Sequence, residues 1–241
     1  MWKRLAAATA MGLFATFAMF SSAGASSPTS LASLTGAQID SLALAQMKAE
    51  GSYTVVAVSS DSDFNASSVT SSTLTSGIRH DDVNGQRGER LFLHGVAYAR
   101  FSAGLGKIYF NKSVPTLANR WISLTRGHAY YSAFSSAMIE PTLAPLLVLH
   151  GTLSVSAPLT FDARSVVAIN GDNTVSSGTT SLTETLFVAN TPPFVPVALV
   201  LTRHQSGSSK TIEEMTFKNW GLPVTVPAPS HSTPSSQLKF P

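Results

Sequence analysis

The chain has 241 residues, a net charge of +3 and no cysteine, and only 12% of its residues are charged while 44% are hydrophobic. That length suits a single domain with one sizeable core. The absent thiol excludes disulfides, thiolate zinc sites, iron–sulfur centres, a cysteine nucleophile and an acylated N-terminal cysteine.

Residues 1–25 read as a cleaved signal peptide: Lys3 and Arg4 precede an apolar run from Leu5 to Phe20, and Ala23-Gly24-Ala25 offers the small residues signal peptidase accepts. The run falls short of the ~20 apolar residues that span a bilayer; a retained anchor helix is the alternative. Lys3 and Arg4 are the segment's only charged residues, so its removal takes the net charge from +3 to +1. The basic balance therefore belongs largely to the export signal. No cluster of basic and aromatic residues follows, and nucleic acid is not an expected partner.

Thr35-Gly36-Ala37-Gln38 has capping-box spacing and predicts a helix over residues 36–50. Ile39, Leu42, Ala43 and Met47 form its apolar stripe, and Gly51 supplies a left-handed stop. Tyr53 to Val58 reads as a short β-branched strand, Val69 to Ile78 as one Ser/Thr-rich strand, and Asp81 to Gly88 as a turn built on Asn84-Gly85. Leu91-Phe92-Leu93 and Val96-Ala97-Tyr98 flank Gly95, which predicts a bulge or bend. Further strands are predicted over 120–125, 152–161, 165–169, 181–189, 195–203 and 211–217. Hairpin-length connections make these one antiparallel sheet.

Between the strands near Thr125 and Thr152 lies an aromatic, apolar insertion. Tyr130, Phe134, Met138 and Ile139 recur at helical spacing, and Pro141 and Pro145 are expected to divide the segment into short helices. After Leu222 the chain is Pro-rich; Val224-Thr225-Val226 offers a last edge strand, and residues 230–241 are expected to be a disordered tail.

Catalytic and metal motifs fail at named positions. There is no Gly-x-Ser-x-Gly elbow and no His-Glu-x-x-His pair. Gly104-Leu105-Gly106-Lys107 lacks the first glycine and the Ser/Thr of a phosphate loop, and reads as a turn. Ser236-Gln237-Leu238-Lys239 fits Ser-x-x-Lys but lies in the tail. Asp61, Asp63 and Asn65 have calcium-loop spacing, yet Ala66 replaces the required glycine and Ser72 the bidentate glutamate. His80-Asp81-Asp82 reads as a surface turn, and Glu213 and Glu214, adjacent in a strand, point to opposite faces. No catalytic residue, metal site or cofactor is assigned, and the chain is not read as an enzyme.

Five segments in order carry a resemblance: His94–Arg100 (His-Gly-Val-Ala-Tyr-Ala-Arg), Asn119–Leu124 (Asn-Arg-Trp-Ile-Ser-Leu), Glu184–Ala189 (Glu-Thr-Leu-Phe-Val-Ala), Phe194–Val197 (Phe-Val-Pro-Val) and Met215–Val224 (Met-Thr-Phe-Lys-Asn-Trp-Gly-Leu-Pro-Val). With the preceding signal and helix, the chain resembles the LolA/LprG-like superfamily of envelope lipoprotein and lipid carriers, in its actinobacterial, largely uncharacterised branch. The resemblance spans about Leu31 to Pro229, so residues 26–229 are expected to be one domain.

What the resemblance implies is an α+β fold: a strongly curved antiparallel sheet, an unclosed half-barrel, with helices covering its concave face and a hydrophobic cavity between them. Its implied role is non-enzymatic binding or carriage of a lipid or acylated molecule in the extracytoplasmic space, at the cell envelope or membrane surface. The implied lining from the sheet is Val55, Tyr98, Leu186, Val188, Leu199 and Leu201. From the greasy insertion it is Tyr130, Tyr131, Phe134, Met138, Leu143, Leu146 and Leu147. The same residues would serve a plain core, and the alternative is a structural or regulatory envelope module with a fully packed interior. Many relatives carry a lipid-modified cysteine where this chain has Ala25-Ser26, so it is expected to be exported without that anchor.

Overall fold

The computed structural model describes residues 30–61, 64–110, 115–174, 180–205 and 211–238. The expected signal peptide lies outside them, as do Asp63 of the calcium-like loop and Lys239 of the Ser-x-x-Lys match. No helix among the described residues is long and apolar enough to cross a membrane.

Helix α1 (Gly36–Glu50) forms where its capping box predicts. Thr35 Oγ1 accepts from the Gln38 amide at 3.4 Å, and the Gln38 side chain accepts from the Thr35 amide at 2.9 Å. Gly51, at φ 73°, ends the helix in the left-handed region. A cap of this kind contributes about 1 kcal/mol, so the helix depends on burying Ile39, Ala43 and Met47 against the sheet.

Strands β1 (Ser52–Ser60), β2 (Asn65–Thr73), β3 (Gly77–Val83), β4 (Gln86–Leu93) and β5 (Val96–Phe101) follow as successive antiparallel neighbours. Three expectations are corrected here. The single strand over 69–78 is two, because the chain turns at Leu74–Ser76, where Thr73 and Ser76 hydrogen-bond each other. Gly95 marks a two-residue hairpin rather than a bulge, with His94 at φ 51° and Gly95 at φ 77°. The supposed turn at Gly104–Lys107 lies within helix α2 (Ala103–Phe110), which buries Leu105 and Phe110.

Strand β6 (Ile122–Leu124) leads into α3 (Tyr131–Ser135) and α4 (Glu140–Leu147). The break between these helices falls at residues 136–139, where Ala137 has φ 55°, and not at either proline. Pro141 sits in the first turn of α4, where its missing N–H is harmless, and Pro145 is carried inside the helix. The remaining strands are β7 (Thr152–Val155), β8 (Leu159–Phe161), β9 (Arg164–Thr174), β10 (Thr180–Ala189), β11 (Pro196–Gln205), β12 (Thr211–Lys218) and β13 (Thr233–Pro234). Val224-Thr225-Val226 forms no strand, whereas Thr233–Pro234, in the segment expected to be a disordered tail, pairs with β6.

Together these make an α+β fold with one unclosed sheet of 13 strands among the described residues. The order is β13-β6-β5-β4-β3-β2-β1-β12-β11-β10-β9-β7, and β8 pairs with β9 off this path. Among the described strands, every pairing is antiparallel except that of β13 with β6. The interior divides in two. One cluster lies under α1 and α4 and includes Met47, Tyr53, Leu147, Ile169, Leu199 and Phe217. The other lies under α2 and α3 and includes Phe92, Phe101, Phe110, Ile122, Phe134 and Met138. Strands β2 and β3 contribute Ala66 and Val83 to this second cluster.

Candidate functional site

Strand register fixes which side chains meet between the two clusters. Val55, Thr70, Arg79, Arg90 and Ala99 stand opposite one another in one row across β1 to β5. The next row is Met215, Ala57, Ser68, Asp81 and Gly88, and the one beyond it is Glu213, Ser59, Ala66 and Val83. Strand β2 alternates with period two and buries Ala66, Ser68, Thr70 and Ser72. These side chains are too small to fill the space that Leu or Phe would occupy.

A cavity of about 390 Å³ results. Its sheet wall includes Ala57, Ala66, Ser68, Val83, Glu213 and Met215, and its helical wall is Ser132, Ala133, Ser136 and Ala137 of the α3 segment with Leu146 of α4. A second, more open concavity of about 660 Å³ lies over the outward side chains of the same strands, among them His80, Asp82, Arg87, Glu89 and Arg100. Arg100 pairs there with Glu89 at 2.6 Å, and its guanidinium lies 4.9 Å from the Trp121 ring centroid.

The inner cavity has a charged floor. Arg90 donates Nε to Asp81 Oδ2 at 2.8 Å and Nη2 to Oδ1 at 2.9 Å, and Arg79 donates Nε to Oδ1 at 2.7 Å. Arg90 also reaches across the cavity, its Nη1 donating to the Ala133 carbonyl at 3.3 Å, and its guanidinium lies 5.7 Å from the Tyr109 ring centroid. Burial by itself would raise the Asp81 pKa, but Arg90 and then Arg79 outweigh it and hold the carboxyl at about 2. Burial lowers the Arg79 pKa, and the neighbouring Arg90 lowers it further. The expected surface turn at His80-Asp81-Asp82 is thus corrected: these residues lie in β3, and the alternation of the strand turns Asp81 inward.

A second polar group lies beneath α1. Burial pushes the Asp40 carboxyl up to about 6, against the opposing pull of the Leu149 amide and of His150. Close by, Glu184 Oε2 accepts from the His150 amide at 2.8 Å and lies 3.2 Å from His150 Nδ1. Among the described residues no three His, Asp or Glu side chains are grouped to hold a metal.

Of the residues the resemblance offers as cavity lining, Leu146 faces this cavity. Val55, Leu143, Leu147, Leu186, Val188 and Leu199 are buried in the cluster under α1, with Leu201 packed against it. Phe134 and Met138 are buried in the other cluster, where Tyr130 and Tyr131 pack. Tyr98 alternates with the buried Ala97 and Ala99 and so belongs to the other face of β5. The other lining residues, among them Ser68, Arg79, Asp81 and Arg90, lie outside that set. Their signal was a Ser/Thr strand beside one with charges two apart, at Arg79 and Asp81.

No protein-family model matches the chain, and no curated protein matches it. Among solved structures the chain is similar to LprF from Mycobacterium bovis, at 15% identity over 81% of this chain and 97% of that one, with a TM-score of 0.49. It is also similar to the LolA superfamily protein NE2245 from Nitrosomonas europaea, at 9% identity over 80% of this chain and 96% of that one, TM-score 0.31. A third is MucB, solved in complex with MucA(peri), at 13% identity over 78% of this chain and 57% of that one, TM-score 0.33.

Proposed function

We propose that the chain is a non-enzymatic carrier that reversibly buries one acyl chain of a lipid or acylated molecule between sheet and helices, outside the cytoplasmic membrane. The observation that carries this reading is the cavity of about 390 Å³ walled by Ala57, Ala66, Val83 and Met215 on one side and by α3 and Leu146 on the other. Its volume falls at the lower end of the range for small-molecule sites, roughly 300–1,000 Å³, which suits one chain rather than several. At ~0.8 kcal/mol per buried methylene, about eight methylenes contribute roughly 6 kcal/mol before the cost of association is subtracted. Useful, reversible affinity needs no catalytic group. The export signal read in residues 1–25 supports an extracytoplasmic setting, with exchange of cargo at the envelope or membrane surface.

Native mass spectrometry with organic extraction, on protein purified from its own organism, tests the reading. A bound amphiphile, together with saturable uptake of a fluorescent fatty acid by the stripped protein, is expected. A chain that yields no amphiphile and takes up no fatty acid is not a carrier.

A further inference from the structure

The cavity floor holds two guanidinium groups and one carboxylate. Arg79 and Arg90 stand directly opposite each other across β3 and β4, an arrangement of like charges that is unfavourable unless something lies between them. Asp81 fills that place, but unequally. Arg90 takes both of its oxygens and sends its remaining bond to Ala133, whereas Arg79 gives Asp81 only its Nε. Among the described residues, nothing accepts from the two terminal nitrogens of Arg79. With its side chain 12% exposed, Arg79 keeps these donors accessible from the cavity, where they are open to an anion. The direction of the Arg79 pKa agrees, since burial and then Arg90 both work against its charge.

We propose that Arg79 is the receptor for the carboxylate end of a single-chain amphiphile that enters the cavity head first, its alkyl chain lying along Ala57, Ala66, Val83, Met215 and Leu146. The proposal rests on the acyl-chain reading above and adds the headgroup and the orientation. A carboxylate suits because the planar guanidinium presents its two terminal N–H groups as a parallel pair. The orientation follows from burial and charge. The floor is the more buried end, with the Asp81 and Arg90 side chains each 2% exposed and Arg79 12%, while Leu146 is 39% exposed. Glu213 faces the cavity two rows and three strands from Arg79, about 20 Å along the sheet by strand geometry. Burial raises its pKa and Arg203 opposes that rise; when ionised, it disfavours an anionic head at that end. Glu214, next along β12, is exposed and also borders the cavity, adding a second carboxylate at that end.

Titration calorimetry of the stripped full chain with decanoate and with decanol, which share a chain length and differ in the head, tests this. Decanoate should bind at least tenfold more tightly, and Arg79→Met should abolish that preference while leaving decanol binding within threefold. Equal binding of decanoate and decanol by the unaltered chain, or a preference that survives Arg79→Met, overturns the carboxylate assignment and leaves the acyl-chain reading standing. If neither ligand binds, both readings fail. The unaltered protein decides the headgroup even if Arg79→Met does not fold.

Discussion

Arg90 and Asp81, nine residues apart on adjacent strands, share two hydrogen bonds of 2.8 and 2.9 Å inside the sheet, and both side chains are almost wholly removed from solvent. The pair is a commitment of the fold, because neither charge has water to fall back on. Asp81→Asn would leave two buried guanidinium groups without a counter-charge, and should cost about 3–5 kcal/mol, read as a lowered urea midpoint at pH 7.

Acid titration should report the same carboxylate. Its folded pKa of about 2 lies below the ~3.9 of an unfolded aspartate. The stability it contributes is therefore complete above pH 4 and is lost as the pH falls from 4 towards 2. Chemical denaturation at half-unit steps should show that loss, and Asp81→Asn should remove it.

Asp40 carries the opposite sign. Its folded pKa of about 6 exceeds the unfolded value, so the folded chain holds the proton more tightly and stability should rise as the pH falls from 6 to 4. Asp40→Asn keeps an acceptor for the Leu149 amide. It should stabilise the protein at pH 7.5 by on the order of 1 kcal/mol, partial solvent screening being allowed for, and should flatten the profile between pH 4 and 6.

Phe134 and Leu146, both in the greasy insertion, should separate stability from binding. The Phe134 ring is buried 5.2 Å from that of Phe101 and 5.4 Å from that of Tyr109, centroid to centroid, so Phe134→Ala should cost about 3–5 kcal/mol. Leu146 faces the cavity and is partly exposed, so Leu146→Ala should change stability by less than about 1 kcal/mol yet weaken fatty-acid uptake severalfold. Denaturation and fluorescent-ligand titration of the two variants give the comparison.

Filling the cavity from the sheet side offers a complementary test. Ser68 is buried opposite Ala57 and Asp81, and the branched side chain of Ser68→Leu would occupy the space an alkyl chain needs. Uptake should fall at least tenfold, with any loss of stability confined to about 1–3 kcal/mol.

Gly77 fixes how closely the α3–α4 connection approaches. A Cβ at this position would collide with the Met138 carbonyl oxygen, the atom that accepts a hydrogen bond from Ser72 Oγ at 3.0 Å. Gly77→Ala should displace residues 137–139, lower the melting temperature and raise hydrogen exchange in α3 and α4.

The sequence was most legible where the signal is local. The Thr35–Gln38 box and Gly51 delimit α1, and Asn84-Gly85 marks a tight hairpin, because each feature is settled within a few residues. The turn at Leu74–Ser76 escaped notice, since a Ser/Thr run has no strong punctuation before Gly77. Helix α2 was hidden by its two glycines, which tertiary packing of Leu105 and Phe110 overrides. The cavity was harder still. It depends on small side chains from β1 and β2 meeting charged ones from β3 and β4, a coincidence of register across four strands that no single segment encodes. Aromatic residues drew attention to the insertion, but most of those rings fill the second cluster rather than face the cavity.

The seam between β1 and β12 also orders events in time. Thr54 lies opposite Lys218, so one wall of the cavity, with Met215 and Glu213, is contributed by a strand about 164 residues further along the chain than β1. Pairings so distant in sequence form late and slowly. During synthesis the inner faces of β1 to β4 therefore stand without their neighbour, and a holding partner for the unfinished sheet would be most useful in that interval. The cavity takes its full shape only after β12 has docked on β1.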